Sequence, residues 1–424
     1  MNRAAYTLVL RLLAPVVWLW MARRARRAGG AWGILSRERF GHLPAKADSG
    51  FERPVWVHAV SLGETRAAQP LVQGILDRGL PVLLTHTTAT GRQEGERAFA
   101  SAISRGQLRQ CWLPYDFPGA TARFFRAWAP RYGILIEREI WPNLLASAHH
   151  ANVPVALVSA RFSESSLRQA RWLGKAMREA LGSLVAVLAQ SREDMHRLEQ
   201  AGATGLQVTG NLKFDVALPV DQLARGRALR LSLRRDVVVI ASTREGEDES
   251  FVRGVQAQTA KPGAPLFVLV PRHPQRFESL RHLIEDAGLS YARRSLGDPE
   301  PDAAIAVLLG DSMGEMAFYY GMADVAIVAG SFAPLGGQNL IEACVAAVPV
   351  IVGPHTFNFK QATEDAIMAG AATRVVDAEQ AIKAALRLLA DEPTRQAMGA
   401  AGRAWTSAHA GATARTLQAL SAWF

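Results

Sequence analysis

"PVWVHAVSLGETRAAQP" (Pro54–Pro70) decides the fold of this chain. An almost unbroken apolar run, Pro54 to Val60, stops at Ser61-Leu62-Gly63, and a carboxylate, Glu64, follows at once. A half-exposed strand would alternate. A continuous run belongs to a strand covered on both faces, as in a parallel sheet. Polar residues just after such strands sit at the carboxyl edge, where open α/β sheets bind ligands. Glu64 then has two readings: an acid favoured by the dipole of a helix start, or a base that takes a substrate proton.

The same grammar repeats along the chain. "PVLLTHTT", "YGILIE", "VPVALVSA", "LVAVLAQS" and "LQVTGN" follow in the first half, each with a helix-like segment behind it. The pattern pauses near Phe214–Leu223, then restarts with "DVVVIAST", "PLFVLVPR", "AIAVLLGD", "VAIVAGS" and "VPVIVGP". The expected fold class is α/β, with two doubly wound, Rossmann-like domains at 36–212 and 222–395 facing each other across a cleft. The Ala-rich helical stretch 396–424 is expected to cross back to the first domain.

Charge is unevenly placed. Of a net +10, seven arginines (Arg3, Arg11, Arg23, Arg24, Arg26, Arg27 and Arg37) precede the first acid, Glu38. A nucleic-acid binder carries its charge on the folded domain, so no nucleic acid is expected as partner. Here the charge flanks "AAYTLVLRLLAPVVWLWMA", Ala4–Ala22, and points to an anionic membrane surface. As a helix this stretch is roughly 28 Å long, barely bilayer thickness. Arg11 interrupts it, Pro15 can kink it, and Trp18 and Trp20 suit the interface. No small-residue cleavage site follows, and "RRARR" holds the downstream chain in the cytoplasm. Residues 1–30 read as an uncleaved anchor with a basic flank, spanning once or lying in the interface. The two cysteines, Cys111 and Cys344, read as buried thiols without metal spacing.

The strand ends of the second half are rich in polar residues. They are "STREGEDE" with Ser242, Arg244 and Glu247; "PRHPQRF" with Arg272 and His273; "DSMGEM" with Met313, Gly314 and Glu315; and "GGQNLIE" with Gly336, Gly337, Asn339 and Glu342. Paired glycines let a backbone approach a ligand closely, and a helix start after them offers free N–H groups to phosphate. Glu342, about one turn into that helix, can accept from ribose hydroxyls. "EGEDE" reads as an acidic first turn, and no metal is expected. In the first half, the candidates are Ser61, Gly63 and Glu64, then Thr85–Arg92, then "EREIWPN" (Glu137–Asn143), then Ser159–Glu164 and "GNLKFD" (Gly210–Asp215), with Glu64 and Glu139 expected to face a nucleotide held by the second domain. His58, inside the first strand, reads as a satisfied core histidine.

Together, "VHAVSLGE", "EREIWPN", "GNLKFD", "PRHPQRF", "DSMGEM" and "GGQNLIE" resemble the 3-deoxy-D-manno-octulosonic acid (Kdo) transferases of lipopolysaccharide synthesis, over nearly the whole chain. The resemblance implies a GT-B glycosyltransferase fold and CMP-Kdo as donor substrate, with no cofactor. It also implies a lipid A precursor of lipid IVA type as acceptor, inversion without metal, and a place on the cytoplasmic face of the inner membrane. It makes Glu64 the general base, Glu139 a supporting acid and Lys213 a further site residue, and gives Arg272, Met313, Gly314, Asn339 and Glu342 to the donor. Two positions depart from the family: Arg244 and Gln338 stand where histidine is expected.

On this reading Glu64 is ionised and ready at neutral pH, the helix start lowering its pKa while neighbouring Glu139 and the anionic substrates push it back up. Arg37, Arg39 and Arg66 are candidates for acceptor phosphates, and equally for solvated surface. Two alternatives stay open: another GT-B nucleotide-sugar enzyme, such as a 2-epimerase, and a non-catalytic nucleotide-sugar sensor.

Overall fold

The computed structural model describes residues 1–28, 32–42, 51–215, 218–259, 263–297 and 305–423. The end of the expected anchor, 29–30, and residues 216–217 of the expected pause lie outside them. The chain divides into two compact units, Met1–Val216 with His409–Phe424, and Ala217–Ala408.

The first unit holds a seven-stranded parallel sheet in the order β3-β2-β1-β4-β5-β6-β7. Its strands are β1 (Val55–His58), β2 (Val82–His86), β3 (Leu108–Trp112), β4 (Tyr132–Ile136), β5 (Val155–Ala160), β6 (Ala186–Ala189) and β7 (Leu206–Val208). The opening stretch forms β1 and then the helix α2 (Leu62–Leu76). Val55 and Val57 pack with Ala67, Leu71 and Val72 of α2 on one face. Trp56 packs with Phe124 and Phe125 on the other. All four β1 residues are fully buried, which is why the run does not alternate. Gly133 on β4 is obligatory, because a Cβ there would come 2.5 Å from the Trp56 ring.

The second unit repeats the plan with order β10-β11-β9-β8-β12-β13-β14. Its strands are β8 (Val237–Thr243), β9 (Leu266–Pro271), β10 (Tyr291–Arg293), β11 (Val307–Leu309), β12 (Val325–Val328), β13 (Val350–Val352) and β14 (Ala372–Arg374). In each unit the strand order reverses at the middle of the sheet, between β1 and β4 and between β8 and β12, and in the second unit β11 also inserts between β10 and β9. Adjacent strand ends diverge into opposite layers at such a point, leaving a crevice.

The tail expected at 396–424 crosses back to the first unit only from His409. The helix Glu392–His409 stays with the second unit almost to its end. Gly399 and Gly402 let it lie directly on Ala347 and Cys344. Only 409–424 joins the first unit, where Asp215 accepts hydrogen bonds from the backbone N–H of Gly411, at 2.6 Å, and of Thr413.

The N-terminal stretch is one helix, α1 (Arg3–Ala28), with Pro15 inside it. Its segment Arg3–Arg23, of mean hydropathy 1.6, is long and apolar enough to cross a membrane. One face docks on the first unit: Tyr6 Oη donates to Asp116 at 2.9 Å, and Trp18 packs on Phe40, Tyr115 and Phe117. The other face exposes Leu8, Leu12, Val16, Leu19 and Trp20.

Candidate active site

Glu64 lies beside the reversal between β1 and β4, at the third position of α2. It completes a capping box. Ser61 Oγ accepts from the Glu64 N–H at 3.4 Å, and Glu64 Oε2 accepts from the N–H groups of Ser61 at 3.0 Å and Val60 at 2.5 Å. The capping reading is therefore true of the geometry, yet it does not fix the protonation state. Burial, and then the charges of Glu137 and Glu139, raise the Glu64 carboxyl to about 8 against the pull of those N–H groups. The expectation of an ionised carboxylate at neutral pH is thus corrected: desolvation outweighs the helix start. Both N–H groups point at Oε2, so Oε1 is left to exchange a proton.

Glu137 and Glu139 follow β4 across the crevice. Glu137 is buried in a left-handed conformation at φ 64° and meets Lys213 Nζ at 2.5 Å. Ser159, at the bulge in β5, is left-handed too, at φ 51°, and its Oγ accepts from the Leu212 N–H at 3.3 Å. That bond steadies the turn Leu212–Asp215, which carries Lys213. Glu139 accepts from the Trp141 indole at 2.7 Å and lies 3.7 Å from His58 Nε2. Burial alone would raise its carboxyl, but His58, the Trp141 N–H and Arg138 outweigh it, and the net displacement is downward. His58 is fully buried and bonds Thr85 through Nδ1, so it is a core histidine that also holds Glu139.

Two arginines leave the acceptor list. Arg39 is 1% exposed, donates to the carbonyls of Trp32 and Thr87, and stacks on Trp112. Arg66 is paired with Glu94 at 2.9 Å.

In the second unit the residues after β8 and β12 flank the other reversal. Ser242 is left-handed at φ 61°, at the bulge that ends β8. Glu247 is 2% exposed and takes the N–H groups of Arg244, Gly330, Phe332 and Ala333 at 2.8–3.2 Å. Both oxygens are occupied by backbone N–H groups, so Glu247 shapes this loop. Glu315 is likewise engaged, with Arg294 at 2.8 Å and Arg225 at 3.2 Å. Met313 is 52% exposed beside Gly314, whose φ is 81°.

Gly336 and Gly337 have φ of 93° and 78°, conformations that suit glycine. The helix behind them is shorter and later than expected: it runs Ile341–Val345, with Glu342 second in it, so its dipole is small. Asn339 joins the two, donating to Glu342 at 3.1 Å and accepting from the Ile341 N–H. Arg272 is half-buried after β9, its N–H donating to the Thr243 carbonyl. His273 is held below its ordinary pKa by burial and then by the charges of Arg244 and Arg272, so it is neutral at neutral pH.

Among the described residues, no group of three His, Cys, Asp or Glu side chains is placed to hold a metal ion. The Glu137–Lys213 pair was not singled out from sequence as a unit. Its partners lie far apart in the chain, and only their positions after two apolar runs hinted at a shared edge.

Residues 36–216 match the family model described as 3-deoxy-D-manno-octulosonic-acid transferase (kdotransferase), and residues 298–405 match that of glycosyl transferases group 1. A 3-deoxy-D-manno-octulosonic acid transferase of Bordetella pertussis is 64% identical, covering 100% of both chains. One of Haemophilus influenzae is 30% identical over 99% of this chain and 98% of its own. A crystal structure of UDP-GlcNAc 2-epimerase from Neisseria meningitidis bound to UDP-GlcNAc aligns with TM-score 0.58 over 87% of this chain and 100% of that one. At 13% identity this likeness bears on fold alone. With full-length relatives at this identity and a GT-B-like pair of parallel sheets, the chain belongs to the 3-deoxy-D-manno-octulosonic acid transferase family and is a glycosyltransferase.

Proposed function

We propose that this enzyme transfers Kdo from CMP-Kdo to a sugar hydroxyl of a lipid A precursor, with inversion and without a metal. The observation that carries the reading is the opposite displacement of two neighbouring carboxyls, Glu64 upward and Glu139 downward. Environments that push a pair of pKa values apart assign proton transfer to one group and fixed charge to the other. The hydroxyl oxygen attacks the anomeric carbon, and the bond from that carbon to the CMP phosphate breaks. CMP leaves with the bonding pair, and the hydroxyl proton passes to Glu64 Oε1. A carboxylate of pKa near 8 is a stronger base than an ordinary one, and fewer copies are ionised at pH 7.

Roles follow the chemistry of each group. Glu139 stays ionised and holds the electrostatic field that strengthens Glu64. The Glu137–Lys213 pair sets a cation beside the reacting carboxylates. In the second unit, the phosphate is assigned to Arg272 and the backbone around Gly336 and Gly337, with the ribose on Glu342. Met313 and Gly314 border the donor, His273 accepts or donates as a neutral ring, and Arg244 contributes charge.

Helix α1 is proposed to lie in the cytoplasmic face of the inner membrane rather than cross it. Its inner face is hydrogen-bonded and packed on the first unit from Tyr6 to Trp18, so it cannot span without dragging that unit along. Its outer face is apolar and exposed, as an interfacial anchor requires.

Mass spectrometry of products from CMP-Kdo and a tetra-acylated lipid A precursor tests the reading. Wild type should add Kdo mass increments, and folded Glu64→Gln should not. Equal product from both would return Glu64 to capping alone.

A further inference from the structure

A groove of about 1560 Å³ runs beside α1, between it and the helices Pro118–Trp128, Pro142–His150 and Lys175–Gly182. That exceeds the range of ordinary small-molecule pockets. Its walls mix small apolar positions, such as Ala122 and Ala146, with Leu8 of α1. Leu8 is 60% exposed and continues into the apolar outer face of the helix. The rim is cationic: Arg3, Arg11 and Arg126 are exposed, and none makes an ion pair among the described residues. A fourth cation, Lys175, meets the groove's acid, Glu179, at 3.6 Å. None of Glu64, Glu137, Glu139 and Lys213 lines the groove, so a lipid there is not positioned for transfer.

We infer that this groove binds one anionic glycerophospholipid of the surrounding membrane. Arg3, Arg11 and Arg126 hold its phosphate, and an acyl chain lies along Leu8 between α1 and Ala122. A phosphate approached by three guanidinium groups gains charge-assisted hydrogen bonds that a zwitterionic headgroup largely satisfies internally. The inference rests on the placement of α1 at the membrane and not on the transfer reaction.

Native mass spectrometry of the full-length protein in detergent, with phosphatidylglycerol or phosphatidylcholine added, reads the site directly. One phosphatidylglycerol should be retained, with at least about fivefold less phosphatidylcholine. Retention should fall about tenfold in the triple variant Arg3→Gln/Arg11→Gln/Arg126→Gln and in Ala122→Trp, which fills the groove. Transfer to detergent-dispersed acceptor should stay within about twofold of wild type in both. Equal retention of the two lipids, or undiminished retention in the triple variant, overturns the site. Preference for the phosphorylated acceptor over phosphatidylglycerol assigns the groove to the acceptor and overturns it too. Should Ala122→Trp fail to fold, the triple variant, whose changes are all at exposed side chains, decides alone. Flotation on pure phosphatidylcholine vesicles tests the anchor separately: a protein that floats there but retains no phosphatidylglycerol keeps its anchor and loses this groove.

Discussion

Each sheet reverses its strand order at its middle, and the two crevices there differ in charge. Beside β1 and β4 stand Glu64, Glu137 and Glu139, with one lysine, and their mutual repulsion and burial decide who holds a proton. Beside β8 and β12 the buried acid, Glu247, is consumed by four backbone N–H groups, while burial and then the charges of Arg244 and Arg272 hold His273 below its ordinary pKa. The same architectural device thus serves proton transfer in one unit and anion retention in the other. What differs is the handful of residues after each strand, not the sheets.

The sharpest way to break this contrast is to remove one acid from each crevice. Glu64→Gln should lower kcat by about 10²–10⁴-fold, the usual worth of a general base. Its melting temperature should stay near wild type at acid pH, where Glu64 is protonated in both states, because the amide oxygen can still accept from Val60 and Ser61. Glu247→Ala should do the reverse. Orphaning its N–H partners, buried at Gly330 and half-buried elsewhere, should cost about 3 kcal/mol or more of stability, read by chemical denaturation. A Glu247→Ala protein of wild-type stability that has lost only rate would make the two acids alike.

Titration sharpens the same comparison. Glu64 must be deprotonated to act, so kcat/KM should rise with pH through an apparent pKa near 8 that belongs to the coupled carboxylates. Stability runs the other way. The folded state binds the Glu64 proton more tightly than the unfolded chain, so its contribution is full below the ordinary carboxyl pKa. It is lost as pH rises through about 8, at no more than ~1.4 kcal/mol per pH unit. Glu64→Gln should flatten that slope in denaturation curves taken from pH 5 to 9. An unchanged slope would assign it to other groups.

How much of this was legible in the sequence follows from burial. The continuous apolar runs became strands covered on both faces. The three strands that went unread, β3, β10 and β14, are all sheet edges. Arg109 and Gln110 of β3 are only half-buried, and β10 and β14 are three residues each, so neither length nor pattern marks them. Glu64 was legible because it follows β1 directly, but its proton affinity was not, since that depends on Glu137 and Glu139 about seventy residues away. The backbone role of Glu247 was not legible for a related reason. Its composition suggests a ligand contact, and only the closure of the loop Gly330–Ala333 reveals that its oxygens are taken.

The smallest expected effect concerns Arg244 and Gln338, the two positions where the sequence reading expects histidine. They are neighbours: a Cβ on Gly330 would lie 3.1 Å from Gln338 Nε2 and 3.5 Å from Arg244 Cγ. Residues that share a wall couple, whereas distant ones add. Arg244→His replaces a permanent cation by a ring that is neutral at pH 7, so donor KM should rise about two- to fivefold. It also removes one of the charges that depress His273, so the His273 imidazole should titrate at higher pH by NMR. Gln338→His alone places a ring beside the Arg244 side chain and should raise donor KM by about twofold. The double variant carries the expected pair of histidines, and its KM should fall below the product of the single effects, with a coupling of about 0.5 kcal/mol. Strict additivity would mean that the wall between them does not act as a unit, which would leave Arg244 to act with Arg272, and without Gln338, as the cations that distinguish this crevice from the acidic one.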